Sequence, residues 1–158
     1  MSAEPFPSAL VTKASVARWS SGAGGQYRRA EFTPNADLMA IILAVEDDLF
    51  ILQSLEWMIE DLGHTALLAS SLAAALLHLE APRHIDMLLV DIRLHALVFG
   101  GYEVADQAIV LRSGLPVLYT SGSILTDDMA GRFVPGGRFL QKPYSPVQLG
   151  SLLDELLK

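Results

Sequence analysis

Residues 41–48 read Ile-Ile-Leu-Ala-Val-Glu-Asp-Asp, five apolar side chains in a row and then three acids. So short a continuous apolar run fits a strand covered on both faces, and the acids mark the point where the chain leaves the core. The same design returns at 87–91, Met-Leu-Leu-Val-Asp, and at 117–122, Val-Leu-Tyr-Thr-Ser-Gly. Two weaker candidates, Thr65–Ala69 and Arg138–Gln141, bring the strands to five. The apolar character of the first, third and fourth marks them as the buried centre of a sheet.

Helical periods fill the gaps. After the acids, Leu52, Leu55, Ile59 and Leu62 recur at spacings of three and four, and Gly63 can end that helix. A second helix starts at Ser70 or Ser71 and is expected to bury Leu72, Leu76 and Leu79. The third, near 102–112, places Val104, Ala108 and Leu111 on one face and stops at Gly114 before Pro116. The fourth is short, with Thr126 as cap, Asp127 and Asp128 in its first turn and Gly131 ending it. In the fifth, Ser145 caps, Pro146 takes the first helical position and Gln148 completes a capping box. Its buried stripe is Leu149, Leu152, Leu153 and Leu156. Strand and helix thus alternate five times. Right-handed crossovers turn such a chain into an α/β doubly wound parallel sheet, expected in the order 2-1-3-4-5.

The chain of 158 residues, 51% hydrophobic, suffices for one core rather than two. Residues 1–38 mix Pro5, Pro7, Pro34 and the Gly22 to Gly25 cluster without apolar periodicity, so a flexible tail over 1–38 and one domain over 39–158 are expected. From Met39 onward seven basic side chains face fifteen acidic ones, a net of −8 that repels nucleic acid. There is no cysteine, which excludes disulfides and thiolate metal sites. No secretory segment or membrane-spanning run is apparent, and a cytoplasmic protein without membrane attachment is expected.

In a sheet of this order the ligand crevice lies at the carboxyl ends of the strands, between the first and the third. Strand one ends in Glu46-Asp47-Asp48, strand three in Asp91, strand four in Thr120-Ser121 and strand five in Lys142-Pro143. Crowded carboxylates repel one another unless a cation joins them, and an all-oxygen set suits Mg²⁺. A hydroxyl and an ammonium facing that set are groups that hold phosphate oxygens. Metal and phosphate are implied together, with Asp91, at the end of the central strand, as the carboxylate to attack a phosphoryl group. Asp48, just before the first helix, is read as its cap rather than as a metal ligand. His64, His78, His84 and His95 lack the spacing of metal ligands.

From residue 41 to 157 the chain resembles the receiver domain of response regulators, the phospho-accepting modules of two-component signalling. Glu46 and Asp47 match its acid pair, Asp91 its phospho-acceptor, Thr120 its hydroxyl residue and Lys142, in Lys-Pro-Tyr, its lysine. The resemblance implies a flavodoxin-like (βα)5 three-layer sandwich, Mg²⁺ held by Glu46, Asp47, Asp91 and the backbone carbonyl of Arg93, and a cis Lys142–Pro143 bond. It implies a phosphoryl group taken from the phosphohistidine of a sensor histidine kinase or histidine phosphotransfer protein, and a message passed by contact to a downstream protein. Thr120 and the aromatic three positions before the lysine, Phe139, would form its switch. A homodimer through helix four, strand five and helix five is a further partner it allows. No output domain is expected, since the pattern ends with the fifth helix, and no enzymatic activity beyond the domain's own phosphorylation and dephosphorylation.

One departure stands out. Residues 92–101 lack the usual Met-Pro or Leu-Pro step, carry Leu94-His95 instead and run about two residues longer than the family's loop. Two other functions compete: a receiver-like adaptor that no longer uses phosphate, and an aspartate-nucleophile phosphohydrolase. The second needs an acid two residues after the nucleophile, where this chain has Arg93.

Overall fold

The computed structural model describes residues 39–94 and 100–158. The expected tail over 1–38 and His95, in the long loop, lie outside the described residues. The elements run β1 (Ile41–Val45), α1 (Leu49–Asp61), β2 (Thr65–Ala69), α2 (Leu72–Glu80), β3 (Met87–Asp91), α3 (Gly100–Leu111), β4 (Val117–Ser121), α4 (Asp127–Ala130), β5 (Arg138–Gln141) and α5 (Pro146–Leu156). The five strands form one sheet in the order β2-β1-β3-β4-β5, every pair parallel. Fold class and strand order are as the sequence predicts.

Burial explains the order. Every residue of β3 and β4 is buried, as are Ile42 to Val45 of β1, while β2 and β5 at the edges carry exposed residues. One apolar cluster joins one face of the sheet to Leu52, Leu55 and Ile59 of α1 and Leu149 and Leu153 of α5. The other joins the opposite face to Ala75 and Leu79 of α2 and Tyr102, Val104, Ala105 and Ala108 of α3. Helix α4 buries no residue.

Three helical faces differ in detail from expectation: in α5 Leu149 and Leu153 are buried, while Leu152 and Leu156 are only partly so. In α2 Ala75 is fully buried, whereas Leu72 and Leu76 only lean on the core, because the small side chain lets the helix approach α3. Leu111, the last residue of α3, is 44% exposed. The capping residues fall where the sequence places them: Ser71, Thr126 and Ser145 accept backbone N–H groups, and Ser145 with Gln148 closes the capping box. Gly63 and Gly114 take positive φ after α1 and α3, a conformation easy only for glycine.

Asp48 caps α1, its carboxylate accepting the N–H groups of Phe50 at 2.9 Å and Ile51 at 3.2 Å. Three buried side chains in α1, at roughly 1.5–3 kcal/mol each, outweigh one cap. Asp48→Ala is therefore expected to cost about 1 kcal/mol without unfolding the chain, read by urea titration.

The start of β1 is held from outside the sheet ladder. Asp86 accepts the Ile41 N–H at 2.7 Å with one carboxylate oxygen and meets His84 Nε2 at 2.7 Å with the other. His64 Nδ1 accepts the Ala40 N–H at 3.3 Å, which makes it a structural histidine. Among the described residues no helix is long and apolar enough to cross a membrane.

Candidate functional site

The parallel sheet delivers its strand ends to one rim. In register, Val45 pairs with Val90, Asp91 with Thr120 and Ser121 with Gln141, so the residues that follow β1 and β5 stand beside the ends of β3 and β4. Glu46, Asp47 and Asp91 each bring one carboxylate oxygen to within 4.8 Å of the others. Glu46 is 2% and Asp91 7% exposed, while Asp47 is half-buried.

Lys142 reaches into this set. Its ammonium donates to Glu46 at 2.5 Å and lies 3.4 Å from Asp91 Oδ2. The Lys142–Pro143 bond is cis, as the resemblance implies. Just before it, the Lys142 N–H donates to the Ser121 carbonyl, tying the lysine to the end of β4.

Burial raises the carboxyl of Glu46 above its usual range, opposed by Lys142 and reinforced by the charge of Asp91. Burial likewise raises Asp91, opposed by Lys142 and by the Arg93 backbone N–H, and reinforced by Asp47. One ammonium does not offset three crowded acids, so the cluster favours a further cation. All its ligands are hard oxygens, which suits Mg²⁺ better than a softer metal. Ionising Asp91 thus costs more in the folded chain than in the unfolded one. That penalty is absent below the ordinary value of 3.8 and complete once pH has passed the raised folded value. In chelator, the wild type is expected to lose stability relative to Asp91→Asn as pH rises from below 3.8 to neutrality, measured by paired thermal melts. A constant difference across that window would contradict the burial of this charge.

Thr120 is fully buried and its hydroxyl has no hydrogen-bond partner. A buried orphan of this kind costs about 1–3 kcal/mol and calls for a ligand. On the strand next to Asp91, its register partner, it fits an incoming oxygen. Ser121 is engaged locally, accepting the Ser123 N–H at 3.1 Å. Tyr144 packs on the α1/α5 cluster, and burial, then the charges of Glu46 and Asp91, push its phenol upward, so it stays protonated.

The sequence-predicted residues Glu46, Asp47, Asp91, Thr120 and Lys142 therefore converge on one rim. Arg93 is exposed and contributes backbone to the site. Phe139 stands away from it on β5, partly buried against Phe133, its ring centroid 6.3 Å from that ring. One residue escaped the sequence reading. A Cβ on Gly101 would lie 2.1 Å from the Asp91 carbonyl oxygen, so only glycine lets α3 press against the end of β3. Residues 101–103, Gly-Tyr-Glu, hold the glycine at the start of a helix, but nothing local says what it meets.

No protein-family model matches the sequence, and no curated protein matches it either. Solved structures do. The fold is similar to that of a response regulator receiver protein from Sinorhizobium medicae WSM419, with 28% identity and a TM-score of 0.68 over 77% of this chain and 97% of that one. It is also similar to a CheY-like response regulator receiver domain protein from Methanospirillum hungatei JF-1, with 26% identity and a TM-score of 0.63 over 75% of this chain and 96% of that one. The receiver domain of the sensor histidine kinase PA1611 from Pseudomonas aeruginosa PAO1, solved with a magnesium ion coordinated in its active-site cleft, shares the fold. It has 23% identity and a TM-score of 0.65 over 75% of this chain and 98% of that one.

Proposed function

Because this chain carries a receiver domain of the response-regulator family, we propose that it takes a phosphoryl group from a partner's phosphohistidine onto Asp91, with Mg²⁺, and signals through protein contacts. The observation that carries the proposal is the convergence of three carboxylates, an ammonium and an orphan hydroxyl on one rim.

In the transfer, a carboxylate oxygen of Asp91 attacks phosphorus in line. The P–O bond to Asp91 forms as the P–N bond to the donor imidazole breaks, and the electron pair stays on the imidazole nitrogen. Glu46, Asp47, Asp91 and the Arg93 backbone carbonyl would hold Mg²⁺, which when bound neutralises charge on the transferring oxygens. Lys142 exchanges its contact with Asp91 for a phosphoryl oxygen while Glu46 keeps its ammonium in place. The Thr120 hydroxyl gains the acceptor that it lacks. Asp91 itself is held rigidly, since β3 is buried throughout and the Arg93 N–H fixes its carboxylate.

The donor belongs to the class of histidine kinases or histidine phosphotransfer proteins, and the receiver of the message is a downstream protein. A second copy of the chain is a further partner, through the face of α4, β5 and α5. Chemistry beyond the domain's own phosphorylation and dephosphorylation is not proposed.

The test is the intact mass of the full chain after incubation with acetyl phosphate, with Mg²⁺ and with chelator. A Mg²⁺-dependent gain of one phosphoryl group is expected. No gain from acetyl phosphate or from a panel of phosphorylated histidine phosphotransfer proteins would point instead to an adaptor that works without phosphate.

A further inference from the structure

A segment can report an event inside a protein only if part of it is inside. Helix α4 meets that condition only through Met129, which is partly buried against the core; the helix is one turn long and none of its four residues is fully buried. The Tyr102 hydroxyl lies 3.5 Å from the Met129 carbonyl and Arg132 Nε 3.5 Å from Asp128. The turn that follows is different. Val134 is 5% exposed and its N–H donates to the Tyr119 hydroxyl at 3.1 Å, a hydrogen bond wholly in the interior. The Phe133 ring stacks on Tyr119, with centroids 4.3 Å apart and planes 12° apart. It also lies 6.2 Å from Tyr102 and 6.3 Å from Phe139. A Cβ on Gly137 would stand 2.9 Å from the Tyr119 ring and 3.1 Å from the Val134 carbonyl, so the turn closes down on that ring.

Tyr119 is the immediate neighbour of Thr120, and Tyr119 and Phe139 are register partners on β4 and β5. We infer that the turn from Arg132 to Gly137, tethered by the Tyr119 phenol and plugged by Phe133, is the element through which this domain shows the state of Asp91 on its surface. The inference rests on the reading that Asp91 is phosphorylated. When Thr120 is drawn toward the phosphoryl oxygens, β4 shifts at Tyr119. The tether to Val134 is then strained or broken, and the turn is released. Phe139 cannot turn further inward unless Phe133 gives way, because a close-packed interior has no spare volume. The two rings therefore move together, and Phe133 and Tyr119 are positioning residues for the output surface.

Amide hydrogen exchange followed by NMR on the full chain tests this, with acetyl phosphate and Mg²⁺ sustaining phosphorylation and intact mass recording it. Phosphorylation is expected to lower protection of the Val134 N–H about tenfold while that of Leu140 on β5 stays unchanged. In Tyr119→Phe, which keeps the ring, Val134 is expected to exchange fast in both states although Asp91 still gains its phosphoryl group. Phe133→Leu is expected to uncouple the turn in the same way. Full phosphoryl gain with unchanged Val134 protection would overturn the inference and leave the proposed function standing, as would an equal loss at Val134 and Leu140. Absence of phosphoryl gain, from acetyl phosphate and from the panel of phosphorylated histidine phosphotransfer proteins alike, would overturn both.

Discussion

Asp91→Asn is expected to abolish the Mg²⁺-dependent phosphoryl gain and, in the same protein, to raise the melting temperature. Both effects have one cause. The carboxylate that would attack phosphorus is buried among Glu46, Asp47 and Lys142, where its ionisation is disfavoured. The amide removes the nucleophile along with a charge that the fold tolerates poorly. Loss of uptake should be complete, since an amide oxygen does not form the acyl phosphate. The gain in stability should be about 1 kcal/mol, the usual size when an active-site charge is relieved. For a domain of this size that is a shift of a few degrees. Intact mass and thermal melts on the same samples read the two together. A variant that is less stable than the wild type at neutral pH in chelator would contradict the electrostatic picture of the site.

Gly101→Ala is expected to destabilise the chain by more than about 3 kcal/mol, or to prevent folding. The added methyl would overlap the Asp91 carbonyl oxygen at 2.1 Å and stand 2.7 Å from Ile92 Cα, both backbone atoms that no side-chain rotation can move away. Relief requires α3 to withdraw from β3, which would pull Tyr102, Val104, Ala105 and Ala108 out of the core. Gly122→Ala is the control: a Cβ there meets nothing within 4 Å, and a change within about 0.5 kcal/mol is expected. Urea unfolding of both variants separates the close approach from the general cost of losing a glycine. Equal stability of the two would show that α3 is not pinned to the phospho-acceptor strand.

The fold was legible because its information is local. Each buried strand is a short apolar run with polar ends, and α1, α2, α4 and α5 carry their own N-caps in Asp48, Ser71, Thr126 and Ser145. Much of the site was legible for the same reason, since in a parallel sheet the residue that ends a strand is delivered to the common rim. What remained hidden depends on contacts between distant segments. The closeness of Gly101 to Asp91 cannot be read from either stretch alone. Nor can the stack of Phe133 on Tyr119, because 133 falls in a turn with no period and its partner is fourteen residues away in a strand. The half-buried Leu72 and Leu76 were misjudged because helical spacing finds a face without saying how close a neighbouring helix comes; Ala75 settles that distance in α2.

The central claim is that Asp91 accepts the phosphoryl group. Borohydride treatment of the acetyl phosphate-treated chain, followed by peptide mass mapping, tests it most directly, because reduction converts an aspartyl phosphate to homoserine at the residue that carried it. Homoserine at position 91, dependent on Mg²⁺, is the result expected. Homoserine at Asp47 or Asp48, or at no residue of a chain whose intact mass shows a phosphoryl gain, would contradict the claim.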